Sequence, residues 1–441
     1  MIRGVSKDAE TLLQSILPIL DRRLRTASPA PLAVALSGGG DSLALLLLTK
    51  AWADAHGRRV IALTVDHGLN PASAGWTAVC GETARRLGVA FQALRWTGEK
   101  PATGLPAAAR AARHALLADA ARAAGAKVLL MGHTADDLAE SAAMRAEGST
   151  VPDAREWSPS PAWPEGRGVF LLRPLLGVSR AALRDGLREA GETWIDDPAN
   201  EDMTYARARA RASSSPRSGE GDRSESGGGG SAAASGPILN SGLSGQAGAD
   251  PSTMRRMVPL PTPWGGLILP KSTPPATLAA AALCAAGTAR PPRGDSLARI
   301  VDGLRRGDPF TVTLAGARIE VGWTEVIVMR DAGQIARGGL APLDLPPGQS
   351  VVWDGRFEIA ADRPGLRVVP LAGFAAKLPE NERKRLAAIP AAARPTLPAI
   401  IGETGDVSCP ILAEHQTVRV QALALPRFEA ATGRVDSEPA P

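Results

Sequence analysis

The chain has 441 residues, 44% of them hydrophobic and only 4% aromatic, and its 50 Lys and Arg against 45 Asp and Glu give a net charge of +5. This length predicts two or three domains with interiors built mainly from Ala, Leu and Val. The basic surplus is compatible with a nucleic-acid partner without requiring one. No apolar run is long enough to span a bilayer, so we expect no membrane partner.

The three cysteines are Cys80, Cys284 and Cys409, and they form no CxxC pair. Their wide spacing argues against a disulfide framework, a zinc site and an iron–sulfur cluster. This cysteine usage favours a reduced, cytoplasmic location.

Strands and helices alternate over the first 210 or so residues. Short β-rich runs are predicted at 32–36, 60–65, 89–96 and 127–131, and helices at 43–55, 76–87, 105–124, 135–146 and 179–190. Such alternation predicts an α/β fold with a doubly wound parallel sheet. A ligand site is then expected at the carboxyl ends of the strands.

A change of composition follows this region. Residues 213–250 are rich in Ser, Gly, Pro and Arg, which favours a flexible linker or disordered insert. An aberrant, frame-shifted segment is the alternative hypothesis. Beyond it, a helix at 296–305 and strands at 310–314, 318–321, 325–329 and 351–360 predict a smaller C-terminal α+β or mostly-β module. We therefore expect a catalytic domain at 1–212, a linker or aberrant segment at 213–258 and a C-terminal domain at 259–441.

Residues 37–42 form a glycine-rich loop between the first strand and its helix. Three glycines let backbone N–H groups point at a phosphate, and the helix that follows adds its N-terminal dipole. No lysine follows the last glycine, so the loop is not a Walker A motif. A carboxylate beside phosphates fits a ligand of Mg²⁺. The alternative is a plain glycine turn capped by Asp41. The residues are Ser37, Gly38, Gly39, Gly40, Asp41 and Ser42.

Polar residues also follow the second and fourth strands. His67 and His133 end these strands, and Asp137 and Glu140 share one face of the next helix. Taken singly, each is as well explained by a surface residue or a helix cap. Arg110 and Arg113 share a helix face, where a solvated arginine face is the alternative to binding of the target nucleotide or the triphosphate.

The loop resembles the PP-loop of the N-type ATP pyrophosphatases, and four further segments resemble the tRNA(Ile)-lysidine synthetase family within them. They occur in the order of that family and cover roughly residues 30–211. The segments are 65–69 (Val-Asp-His-Gly-Leu), 132–141 (Gly-His-Thr-Ala-Asp-Asp-Leu-Ala-Glu-Ser), 172–176 (Leu-Arg-Pro-Leu-Leu) and 194–202 (Trp-Ile-Asp-Asp-Pro-Ala-Asn-Glu-Asp).

The resemblance implies a set of roles for these residues. It implies ATP as co-substrate, bound by the loop with His67 and His133, and Mg²⁺ bound by Asp41. Arg110, Arg207 and Arg211 would bind substrate, although the asparagine that follows Arg207 in the family is here Ala208. The catalytic residues would be Asp41, Arg113, Asp137 and Glu140.

The resemblance also implies a reaction and its partners. L-lysine would be joined to C2 of the wobble cytidine in the CAU anticodon of an isoleucine tRNA, through an adenylated cytidine, with release of AMP and pyrophosphate. The C-terminal domain would help to bind the tRNA, and a homodimer is left open.

Three alternative functions would require different sequence features. A PP-loop tRNA thiolase needs cysteines, yet Cys80 lies within a predicted helix and no CxxC pair exists. A glutamine-dependent amidotransferase needs a glutaminase domain, of which the sequence shows no sign. A non-catalytic tRNA-binding homologue is disfavoured because Asp41 and both loop serines are present.

Overall fold

The computed structural model describes residues 7–148, 154–196, 262–292, 294–413 and 418–440. Its contacts divide the chain into two compact units, Met1–Asn240 with Val435–Pro441, and Ser241–Arg434. The predicted domain limits at 212 and 258 fall outside the described residues. No helix within these ranges is long and apolar enough to cross a membrane.

The first unit is built on a six-stranded sheet in the order β3-β2-β1-β4-β6-β5. The strands are β1 (Leu32–Ala35), β2 (Val60–Asp66), β3 (Ala90–Arg95), β4 (Val128–Leu130), β5 (Trp157–Pro159) and β6 (Phe170–Leu172). All pairings are parallel except that of β5 with β6. The helices are α1 (Lys7–Arg23), α2 (Gly40–Ala55), α3 (Ser73–Arg86), α4 (Leu105–Ala123), α5 (Ala135–Ala146) and α6 (Arg180–Glu189).

Apolar layers cover both faces of this sheet. Leu32 and Val34 of β1 pack into a core with α1, α2 and α6, whereas Ala33, between them, packs with α4 on the opposite face. Successive strand residues point to opposite faces, so a strand buried on both sides needs an unbroken apolar run. The predicted doubly wound parallel sheet is confirmed.

The second unit contains three antiparallel sheets. Their orders are β7-β10-β9-β8, β11-β14-β15-β16 and β12-β13-β17. The strands are β7 (Leu267–Pro270), β8 (Phe310–Leu314), β9 (Ala317–Val321), β10 (Glu325–Arg330), β11 (Leu343–Leu345), β12 (Ser350–Trp353), β13 (Phe357–Ala361), β14 (Leu366–Pro370), β15 (Pro398–Ile401), β16 (Val407–Ser408) and β17 (Val418–Ala422).

The helices of this unit are short. They are α7 (Pro275–Ala286), α8 (Gly294–Arg306), α9 (Gly333–Ala336), α10 (Glu380–Leu386) and α11 (Ala424–Ala431), with 3₁₀ turns at Ala375–Lys377 and Arg394–Thr396. The prediction of a separate, mostly-β C-terminal region is confirmed.

One predicted strand of this unit is wrong. The run 351–360 is a hairpin of β12 and β13, in which Trp353 pairs with Phe357. Asp354 and Gly355, between them, adopt left-handed φ values of 51° and 63°. An Asp-Gly pair between β-rich runs is typical of a tight hairpin turn, and its two φ values break a continuous strand.

The end of the chain returns to the first unit, although the sequence analysis assigned it to the C-terminal domain. The Glu438 carboxylate accepts hydrogen bonds from Nη2 of Arg58 at 2.8 Å and from the backbone N–H of Arg25 at 2.9 Å. The side chains of Arg58 and Glu438 are only 1% and 0% exposed. Nε1 of Trp157 donates to the carbonyl of Val435. The tail is therefore an integral part of the catalytic unit.

We expect Glu438→Gln to destabilise the first unit by about 3–5 kcal/mol, because the Arg58 guanidinium would remain buried without its counter-charge. Urea unfolding followed by tryptophan fluorescence measures this loss. Glu82→Gln is the matched control, since its ion pair with Arg85 is exposed and such pairs contribute about 0–1 kcal/mol. Equal unfolding midpoints for the two variants would contradict an anchoring role of the tail.

Candidate active site

The glycine loop joins β1 to α2 and is braced by its own serines. The backbone N–H of Ser37 donates to Oγ of Ser42 at 3.1 Å, and that hydroxyl donates to the carbonyl of Gly39 at 2.8 Å. Gly38 has a φ of +88°, and a Cβ placed there would lie 2.6 Å from Cδ1 of Ile195. The loop therefore needs glycine at position 38 for both backbone conformation and space.

Asp41 lies in the first turn of α2, and the segment that follows β4 lies against its backbone. A Cβ added to Gly132 would lie 3.0 Å from the Asp41 carbonyl oxygen. This close approach explains why glycine precedes His133 in the sequence. This contact places the end of β4, and the helix α5 that follows it, next to the glycine loop.

Three predicted carboxylates converge on one arginine, Arg180 at the start of α6. Its guanidinium lies 3.1 Å from Asp41, 3.7 Å from Asp137 and 3.2 Å from Glu140, measured between nitrogen and oxygen atoms. Its backbone N–H donates to Asp136 at 2.7 Å. We call Asp41, Asp137, Glu140 and Arg180 the acid cluster. Arg180 is not among the predicted site residues, since the sequence places it only within the predicted helix at 179–190.

Burial and charge act on these groups in opposite directions. Burial raises the pKa of Asp41, and the hydrogen bond and charge of Arg180 oppose that rise. Burial also acts to raise the pKa of Asp137, but the hydrogen bonds from Thr134 and the charge of Arg180 act in the opposite direction, and the net shift is downward. Asp137 is thus an anion at neutral pH. In return, the carboxylates raise the pKa of Arg180 against the effect of its burial.

The two predicted histidines are neutral at physiological pH. Burial and the nearby Arg173 lower the pKa of His133 to about 3. Its Nδ1 accepts a hydrogen bond from Nε of Arg173 at 3.2 Å. Burial and Arg113 lower the pKa of His67. Within the described part of the chain, Nδ1 of His67 has no hydrogen-bond partner, so it can bind a polar group of a ligand.

The predicted arginines divide into three groups. The charge of Arg113 lowers the pKa of both His67 and His133, so Arg113 lies near the two rings. Arg110 is exposed on α4 and lines a cavity beside this site. Arg207 and Arg211 lie outside the described residues. Arg173 lies in the resembling segment 172–176 without a predicted role, because no strand is predicted before it; the structure places it directly after β6.

The comparisons with known proteins agree with this arrangement. A family model described as PP-loop domain matches residues 10–217. The chain is 51% identical to the tRNA(Ile)-lysidine synthase of Caulobacter vibrioides, over 97% of this chain and 99% of that protein. The chain belongs to the tRNA(Ile)-lysidine synthase family.

Two further members of the family are similar over much of their length. The enzyme of Hyphomonas neptunium is 36% identical over 77% of this chain and 91% of its own. That of Mesorhizobium japonicum is 34% identical over 92% of this chain and 91% of its own. The predicted family is confirmed. The predicted enzyme class, an ATP-binding ligase that modifies tRNA, is confirmed with it. The roles of the individual site residues stay predictions.

Gly38→Ala is expected to weaken ATP binding about tenfold, because a left-handed alanine costs about 1–2 kcal/mol and distorts the loop. Isothermal titration with ATP measures the change. Gly57→Ala is the matched control: Gly57 has a φ of +64°, and an added Cβ meets no atom within 4 Å. It tests the same backbone penalty away from the loop. Equal ATP affinities for the two variants would sink the prediction.

Proposed function

We propose that the enzyme joins L-lysine to C2 of the wobble cytidine in the CAU anticodon of an isoleucine tRNA. ATP would be the co-substrate, the cytidine would be adenylated first, and AMP and pyrophosphate would be released. The names of the relatives and the PP-loop domain support the tRNA substrate and ATP. The residues of the site support the joining of an amine to an ATP-activated group.

One observation carries the proposal: the glycine loop, an anion site, shares Asp41 with the acid cluster, a cation site. Backbone N–H groups at the start of α2 suit the phosphates of ATP. Asp137 and Glu140 suit an ammonium group, such as the side-chain amine of free lysine. An enzyme that joins an amine to an ATP-activated group needs both sites next to each other.

In the first step, the C2 oxygen of the cytidine attacks the α-phosphorus of ATP, a P–O bond forms, and pyrophosphate leaves. The loop holds the phosphates from which the pyrophosphate forms. Donors fixed before the reaction stabilise the developing charge without reorganisation. The target base must leave its stack to reach the strand ends.

In the second step, the lysine amine attacks C2, a C–N bond forms, and AMP leaves with the C2 oxygen. The amine must first lose a proton. Asp137, which is ionised at neutral pH, is suited to orient the ammonium, and Glu140 lies on the same face of α5. One of these carboxylates or bound water accepts the proton.

Among the described residues no group of three or more His, Cys, Asp and Glu is arranged to hold a metal ion. A Mg²⁺ ion brought with ATP would be held by Asp41 and the phosphates, since carboxylate and phosphate oxygens are the donors that it prefers. When bound, it would neutralise charge on the pyrophosphate leaving group.

Arg180 is proposed as a positioning residue that keeps the carboxylates together. Arg180→Gln should lower kcat about 100-fold, since small misplacements of reacting groups have effects of this size. Arg180→Lys should recover part of the activity because it keeps the charge but loses the planar fork. Arg188→Gln, on the exposed face of the same helix, is the control. Full activity of Arg180→Gln would contradict the role.

The proposed function is tested with labelled lysine, ATP and purified isoleucine tRNA bearing a CAU anticodon. Lysine incorporation with equimolar AMP release is expected, and none with a tRNA of another anticodon. Asp41→Asn should lower the rate about 100-fold or more while the fold persists. Asp54→Asn, whose exposed carboxylate pairs with Lys50 on α2, should leave it unchanged. Activity with sulfide or ammonia in place of lysine would overturn the proposal.

A further inference from the structure

The cavity that Arg110 lines lies beside the acid cluster, because it also contains Arg173, the hydrogen-bond partner of His133. Its volume is about 600 Å³. α4 contributes Arg110 and His114, and Arg173 follows β6. We call it the arginine chamber, and its polar lining consists of Arg110, His114, Arg155, Ser158, Glu165 and Arg173. The family resemblance implies substrate binding for Arg110, but the two steps of the proposed reaction give the other lining residues no role.

The described lining of the chamber is rich in arginine. It includes Arg110, Arg155 and Arg173, together with one acidic residue, Glu165. Arg173 is only 7% exposed. Burial, and then the charge of Arg110, lower its pKa to about 10, so it still carries its proton at neutral pH. An oxyanion bound at Arg173 would favour the charged form of its guanidinium group.

His114 provides a second, independent indication of a ligand. Its side chain is 5% exposed, and Nδ1 has no hydrogen-bond partner among the described residues. Burial, and then Arg113 and Arg110, lower its pKa to about 3, so the ring is neutral. Buried polar nitrogens are rarely left without a partner. A neutral imidazole here can exchange a hydrogen bond with a hydroxyl or a base edge.

The remaining wall of the chamber is apolar. A cavity of this volume is much larger than a single carboxylate or phosphate needs. Arginines beside an apolar and aromatic surface are the usual surroundings of an unstacked nucleotide, whose phosphate and rings are held separately. The wall includes Ala107, Ala111, Pro159, Pro161 and Trp163.

We propose that the arginine chamber binds a backbone phosphate of the RNA next to the target cytidine, with the attached nucleoside along the apolar wall. The proposal rests on the proposed function, because it takes RNA as the substrate. The hydrogen bond of 3.2 Å from Arg173 to His133 joins the chamber to the residue that precedes α5. A phosphate held there would bring the neighbouring base to the acid cluster.

The experiment measures binding of an anticodon stem-loop RNA to the full-length protein, without turnover. Arg110 is exposed on α4, so Arg110→Gln should fold. It should raise the Kd about tenfold and reduce the slope of log K against log salt by about 1. Arg85→Gln, which removes the same charge from an exposed ion pair on α3, should leave both quantities unchanged.

A neutral methylphosphonate placed at each phosphate beside the target cytidine locates the contact. At one position it should weaken binding to the wild-type protein about tenfold and have no further effect on Arg110→Gln, because the two changes remove one interaction. His114→Phe, which keeps the ring shape and removes both nitrogens, should weaken RNA binding and leave the KM values for ATP and lysine unchanged.

Other outcomes overturn the proposal in distinct ways. A raised lysine KM with unchanged RNA affinity would assign the chamber to the carboxylate of the amino acid. A raised ATP KM would assign it to the triphosphate. Identical RNA affinities for Arg110→Gln and Arg85→Gln would show that the chamber binds no RNA. Failure of the proposed function is distinguishable, since it would appear as RNA binding without lysine incorporation by the wild-type enzyme.

Discussion

The ion pairs between Arg180 and three carboxylates are the interaction on which the site depends. Asp41, Asp137 and Glu140 come from helices that follow adjacent strands, and Glu140 is almost fully buried. Like charges this close in a partly buried crevice repel strongly unless a cation lies among them. Arg180 supplies that cation in the free enzyme. The proposed substrates bring cations of their own, a metal ion on ATP and an ammonium on lysine, so binding redistributes charge within a cluster that is already formed.

Around this cluster the proposed binding surfaces alternate between positive and negative charge. The glycine loop offers backbone N–H groups to phosphates on one side, and the proposed arginine chamber offers guanidinium groups on another. His133 lies between the acid cluster and the chamber, and its neutral ring separates Arg173 from Asp137 without adding charge. Such alternation suits a reaction between two polyanions, ATP and RNA, and one amine. In the proposed reaction each substrate would meet a surface of opposite charge, which would favour its correct placement over the alternatives.

The tail of the chain is also part of the unit that contains this site. Its buried ion pair with Arg58 returns the last residues to the catalytic unit after the whole second unit has intervened. Nothing in the composition of residues 435–440 indicates this return, since an isolated glutamate is usually exposed. The hairpin at Asp354 was missed for another reason. The Asp-Gly turn is visible in the sequence. However, two β-rich runs separated by a short turn look like one long strand when the pairing of the strands is not considered.

The sequence by itself determined the alternation of strands and helices, the glycine loop and the family. These depend on neighbours along the chain: apolar periodicity, glycine at a turn, acidic residues at a helix start. Only the tertiary structure decided which charges meet. Arg180 lies 139 residues from Asp41, and no local pattern links them. Their contact exists because parallel pairing brings strand ends together at one edge of the sheet, where charge and burial depend on every neighbouring element at once.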